Sequence, residues 1–93
     1  MEQSYVYILT NQDNNVLYTG VTTRLEERIK QHRNHVGSAF TAKYNAHKVV
    51  YIEQCPNIVA AIRREKLIKM MPRRRKIALI ERINPSWRDL MEE

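Results

Sequence analysis

Cysteine occurs once in these 93 residues, glycine twice and proline three times. The lone Cys55 has no partner for an internal disulfide, which removes the disulfide-stapled secreted scaffold and any need for an oxidising compartment. With two glycines the chain carries no G-x-x-x-x-G-K-[ST] or G-x-G-x-x-G loop, so neither nucleotide-cofactor motif exists and no small-molecule cofactor is expected. No apolar run approaches the ~18 residues of a membrane span. The opening MEQSYVYILT begins with an acid instead of a basic region, so it does not read as a secretion signal. His32, His35, His47 and Cys55 show no zinc-ligand spacing, and Cys55 reads as packing at a strand end. Internal repeats, low-complexity segments and linkers are also missing. The expectation is a small cytoplasmic domain over residues 1–93, with no membrane contact. Its 43% hydrophobic and 28% charged residues are those of a globular chain of marginal stability.

Positive charge is present, and it is concentrated. Residues 63–82 hold nine cations, Arg63, Arg64, Lys66, Lys69, Arg73, Arg74, Arg75, Lys76 and Arg82, against only Glu65 and Glu81. That local +7 exceeds the net +6 of the whole chain. A solvated helix face is the plain reading of such a run. Cations in the first turn of a helix oppose its dipole, however, so something else should favour Arg73-Arg74-Arg75-Lys76. A phosphate backbone, neutralised through counterion release, is the simplest candidate.

Residues 5–10 read as a strand with apolar side chains on both faces, and residues 16–19 as a second. Asn11-Gln12-Asp13-Asn14-Asn15 supplies the turn of an antiparallel hairpin. Thr23-x-x-Glu26 fits a capping box opening a helix that runs to about Asn34. Residues 35–46 have no clear period and read as loop, with room for one helical turn. Residues 48–53 form a β-branched, aromatic third strand. Asn57 caps a second helix over residues 58–71, and Pro72 suits the first turn of a third that ends near Asn84-Pro85. The order β-β-α-β-α-α predicts an α+β fold, a small three-stranded antiparallel sheet with helices packed on its faces.

Polar residues interrupt the apolar stripes. The first helix presents Leu25, Arg28, Ile29 and His32 on one face, with Arg28 and His32 as i, i+4 neighbours. Arg28 can snorkel outward and His32 can be a satisfied core histidine, or both can face a cleft. On the second helix Glu65 falls among Ala61, Ile62 and Ile68, where an unpaired carboxylate costs several kcal/mol. It can pair with Lys69 at i+4, or it can anchor a hydrated Mg²⁺, which needs only one or two protein carboxylates beside substrate phosphate. Tyr5, Tyr7 and Tyr18 suit strand packing; Tyr7 and Tyr18 can also aim their hydroxyls into one cleft, lined by Gly20 and the amides opening the first helix as an anion site.

Tyr5-Val6-Tyr7 followed by Tyr18-Thr19-Gly20 resembles the paired motifs of the GIY-YIG nuclease superfamily, with Arg28, His32, Glu65 and Asn84 following in that family's order. The resemblance covers nearly the whole chain and is closest to the short stand-alone bacterial branch, similar to the nuclease domain of the excision-repair incision subunit. YTGVTTRLEERIKQH and AAIRREKLIK are its most specific pieces. One departure is Tyr5, standing where the first motif has glycine. The resemblance implies a metal-dependent endonuclease that hydrolyses DNA phosphodiester bonds in repair or recombination, using Mg²⁺ or Mn²⁺. It implies Tyr7, Tyr18, Arg28, His32, Glu65 and Asn84 as site residues and Glu65 as the metal ligand.

On that reading Tyr7 takes the proton of the attacking water. A phenol with a pKa of ~10 must have it depressed by cations, or must pass a proton on, with His32 as the acceptor. Arg28 offers its planar fork to the phosphate. The basic residues Arg63, Arg64, Lys66, Lys69, Arg73, Arg74, Arg75 and Lys76 are the expected nucleic-acid contacts. DNA is the expected partner, and composition alone does not separate it from RNA. The alternative is a nucleic-acid-binding module that keeps the fold without cleaving.

Overall fold

The computed structural model describes residues 3–92. Three strands, β1 (Ser4–Thr10), β2 (Leu17–Thr22) and β3 (Lys48–Cys55), form one antiparallel sheet in the order β2-β1-β3. Four helices accompany it: α1 (Leu25–Arg33), α2 (Ala39–Tyr44), α3 (Ile58–Met70) and α4 (Arg73–Ile83). The expected α+β architecture is therefore present, with one added helix. Among the described residues no helix is long and apolar enough to cross a membrane.

The central strand explains the layering. Val6 and Ile8 point to one face of β1 and pack with Ala61 and Ile68 of α3 and Ile80 of α4. Tyr7 and Leu9 point to the other and pack with Ile29 of α1, Ala46 and Val49. Both faces are covered, which is why β1 is apolar at nearly every position. The hairpin turn is built by asparagine: the Asn11 side chain accepts from the Asn15 amide at 2.9 Å, and Asn14 takes a left-handed φ of 58°.

Two local expectations are corrected. β2 continues through Gly20 to Thr22, whose partner across the hairpin is Tyr5. Thr23 is still leaving the sheet, α1 starts at Leu25, and its first turn has no side-chain cap, so the Thr23–Glu26 capping box does not form. Residues 35–46 contain α2, a six-residue helix capped by the Ser38 side chain on the Thr41 amide. Asn57 caps α3 as its sequence suggests, accepting from the Ala60 amide at 2.9 Å.

β3 carries a bulge. Ile8 pairs with Tyr51 but Leu9 pairs with Val49, leaving Val50 as the extra residue. The C-terminal segment closes over this edge: Leu90 donates its amide to the Val49 carbonyl at 2.7 Å. Asp89 accepts the Val49 amide at 3.2 Å and is held by the Arg33 guanidinium at 2.8 Å.

Candidate active site

Gly20, on the edge strand β2, lies opposite Tyr7. A Cβ there would stand 2.3 Å from the Tyr7 ring and hydroxyl, so the phenol lies directly over the glycine. Lacking that Cβ, β2 leaves room for the ring to lie over it, where its hydroxyl meets His32 of α1 and feels the charge of Glu65 on α3. Gly20 is thus a cradle for the ring.

The Tyr7 hydroxyl sits 2.8 Å from His32 Nε2, and His32 Nδ1 sits 2.8 Å from Thr41 Oγ1. Thr41 Oγ1 lies 3.3 Å from the Ser38 carbonyl, which only accepts, and 2.9 Å from the Ser38 hydroxyl. If Thr41 donates to that carbonyl, it accepts from His32 Nδ1–H, and Nε2 is left to accept from Tyr7. Every group is then satisfied with the proton on Nδ1. Gly37 completes the enclosure, since a Cβ there would stand 2.4 Å from the His32 ring. The Tyr18 ring packs edge-on against His32 with 5.3 Å between centroids.

Burial sets the proton affinities of this pair. It pushes the Tyr7 phenol up to about 12, helped by Tyr18 and Glu65, while the Arg28 guanidinium pulls the other way through a hydrogen-bonding contact and its charge. Burial also lowers His32 to about 4, with the Arg28 charge acting in the same direction. At neutral pH the pair is a neutral phenol on a neutral imidazole.

Arg28 is half-buried and donates to the Gln31 side chain at 2.9 Å. The Glu65 side chain is only 14% exposed, and Lys69 reaches its Oε2 at 3.0 Å. The i+4 pair read from the sequence is present, and Glu65 makes it from a largely buried position. Tyr7, Tyr18, Arg28, His32 and Glu65 are therefore brought into one neighbourhood by direct contact or by charge. A surface hollow of about 680 Å³, lined by residues that include Tyr5, Leu25, Lys30, Ile52 and Met91, contains none of these five. A smaller one of about 170 Å³ is lined by Arg28 with Thr22, Thr23, Arg24, Glu27 and Gln31.

Asn84 is the exception. It is buried at the end of α4, donates to the carbonyls of Val50 and Arg88 at 3.1 and 2.8 Å, and accepts the Arg88 amide at 3.0 Å. Its amide stitches the β3 bulge to the C-terminal turn and contacts none of the five.

A divalent ion would find one carboxylate here. Both His32 nitrogens are engaged, and among the described residues no group of three or more His, Cys, Asp or Glu side chains gathers. That donor set fits Mg²⁺, which retains waters, and does not fit an all-protein cage.

The basic segment divides. Arg63, Lys66, Arg74 and Arg75 are exposed, and Lys76 is half-buried. Lys69 serves Glu65, and Arg73 donates to the Asn14 carbonyl at 3.2 Å, tying α4 to the hairpin turn. Arg64 does not fit a nucleic-acid contact: its Nε bonds both Glu53 oxygens at 3.0 Å, and Tyr51 donates to the same carboxylate. Sequence reasoning missed Thr41 and Gly37. Their contacts with His32 exist only because residues 35–46 fold back over α1, and only the scarcity of glycine hinted at Gly37.

The GIY-YIG catalytic domain family matches residues 3–78 of the chain. A UPF0213 protein of Oceanobacillus iheyensis is 40% identical over 80 residues, covering 86% of this chain and 92% of that protein. One of Clostridium perfringens is 44% identical over 77 residues, covering 83% and 82% respectively. The solution NMR structure of the UPF0213 protein BH0048 from Bacillus halodurans superposes with a TM-score of 0.60 at 30% identity, covering 96% of this chain and 94% of that one. Asn84 lies beyond the matched segment.

Proposed function

We propose, because the chain belongs to the GIY-YIG catalytic domain family, that it is a metal-dependent endonuclease hydrolysing DNA phosphodiester bonds, acting in the cytoplasm in repair or recombination. The observation that carries this reading is the Tyr7–His32–Thr41 chain, with the charges of Arg28 and Glu65 both felt at its phenol. A phenol held at about 12 is a poor resting base. It works as a relay: the attacking water gives its proton to Tyr7 Oη while Tyr7 gives its own to His32 Nε2. The charge then developing on the imidazole is stabilised by the Nδ1–H bond to Thr41. Arg28, a planar fork beside the phenol, faces the phosphate and opposes its growing negative charge. Glu65 would hold Mg²⁺ or Mn²⁺, which when bound neutralises non-bridging phosphate oxygens. Tyr18 packs the imidazole in place.

Plasmid and branched DNA incubated with Mg²⁺ or Mn²⁺ test the assignment directly. Wild-type protein is expected to nick, and Glu65→Ala to lose at least about 100-fold in rate, the scale of one electrostatic stabiliser of the transition state. Equal nicking by both proteins removes the enzyme reading. Salt-sensitive binding without cleavage by either would leave a nucleic-acid-binding module.

A further inference from the structure

Beyond His32 the aromatic contacts continue outward. Tyr18 stacks on Phe40 with 5.9 Å between centroids and 27° between planes, and Phe40 meets Tyr44 at 4.8 Å. Phe40 and Tyr44 stand one turn apart on α2 and are 38% and 41% exposed, while the side of α2 that faces the protein is anchored by buried Thr41. Lys43 lies over the Tyr44 ring at 5.3 Å. α2 itself contains no Asp or Glu, so Lys43 is the charge beside these rings.

Taking the nuclease reading as its base, we propose that Tyr18, Phe40 and Tyr44 form a stacking track for unpaired bases, and that the substrate is single-stranded DNA entering along α2. Base faces are available to side chains only where the strand is unpaired, and aromatic rings flanked by cations are how sequence-tolerant single-strand binding is built. The track is continuous with the site, because the Tyr18 ring touches both His32 and Phe40. A strand stacked on it therefore delivers its backbone to the Tyr7 hydroxyl. Duplex DNA, its bases already stacked on each other, gains nothing from these rings.

Fluorescence anisotropy in EDTA separates binding from cleavage. The probes are an oligodeoxythymidine, an abasic strand of equal length, and a duplex. Wild-type protein is expected to prefer the oligodeoxythymidine over the abasic strand. Phe40→Ala and Tyr44→Ala should each weaken oligodeoxythymidine binding by about 5- to 150-fold, the range for one lost stacking partner, and leave the other two probes unchanged. Tyr44→Trp should retain affinity. Circular dichroism and thermal melting check that the variants fold. Absence of wild-type binding to oligodeoxythymidine, unchanged affinity in both alanine variants, or equal losses on all three probes overturns the proposal. Cleavage of the same strands in Mn²⁺ by wild type but not by Glu65→Ala tests the nuclease reading separately. Stacking without cleavage would retire that reading alone, and cleavage without stacking would retire the track alone.

Discussion

The two glycines of this chain lie beneath the two site rings, Gly20 under Tyr7 and Gly37 under His32. Neither has a positive φ, so space is their contribution and not backbone freedom. Gly20→Ala places a methyl group where the buried phenol now lies. Overpacking of this kind costs about 1–3 kcal/mol. Displacement of the hydroxyl by about an ångström lowers nicking by about 100-fold, and urea melts beside plasmid nicking separate the two losses. His32 makes a second residue-scale prediction. Its native pKa of about 4 lies below the ordinary 6.5, so between those values the unfolded chain binds a proton that the folded chain refuses. Stability is therefore undiminished above pH 6.5 and falls as pH drops toward 4, by on the order of 3 kcal/mol for an imidazole this buried. Urea midpoints should trace that fall in the wild type and lose most of it in His32→Asn.

The site was partly legible at this scale. Arg28, His32 and Glu65 stood out because each placed a polar group on an apolar stripe, whereas Tyr7 suited strand packing and drew notice through its hydroxyl and the resemblance. The polar partners on α2 broke no stripe, so Thr41 gave no signal. Asn84 is hydrogen-bonded to Val50 and Arg88 and away from the other five, a placement that order along the chain does not reveal.

Among the elements, β1, β3, α3 and α4 followed from apolar runs and turn chemistry, within two residues at each end, and the hairpin turn followed from its asparagines. α2 did not, since six residues make less than two turns and no periodicity can be read from them. The missing start of α1 has a different cause: pairing with β1 carried β2 past its apolar run to Thr22. The β3 bulge was invisible for the same reason, because it is set by its partner strand. Asn84→Ala tests its role as the stitch of that bulge. Loss of the donor to the Val50 carbonyl should destabilise the fold by about 1–3 kcal/mol. Nicking per folded molecule, and its metal dependence, should stay near wild type. A loss of turnover in a fully folded Asn84→Ala protein would return the residue to the chemistry.

For the molecule as a whole, charge is the property most open to measurement. Exposed Arg74 and Arg75 flank the start of α4, whereas Arg64 is turned inward to Glu53. The logarithmic dependence of DNA affinity on salt should therefore become shallower by about 1.4–1.8 in Arg74→Ser/Arg75→Ser, if both contact phosphate. Arg64→Ala should leave the slope unchanged while lowering the melting temperature. Equal slopes in wild type and the double variant would move the phosphate track elsewhere. Helices on both faces of the sheet also explain where a polar site can lie in a chain this small: both faces are sealed, so the proposed chemistry is left to the β2 edge.

α2 is too short to persist by itself, since isolated helices need about 12–15 residues to be even marginal in water. Yet its Thr41 is what steadies the imidazole. Transient unravelling of those six residues would release the imidazole, and with it the proposed relay, without disturbing the sheet beneath. On that mechanism turnover is bounded by this short segment, and amide exchange in α2 would clock how often it opens.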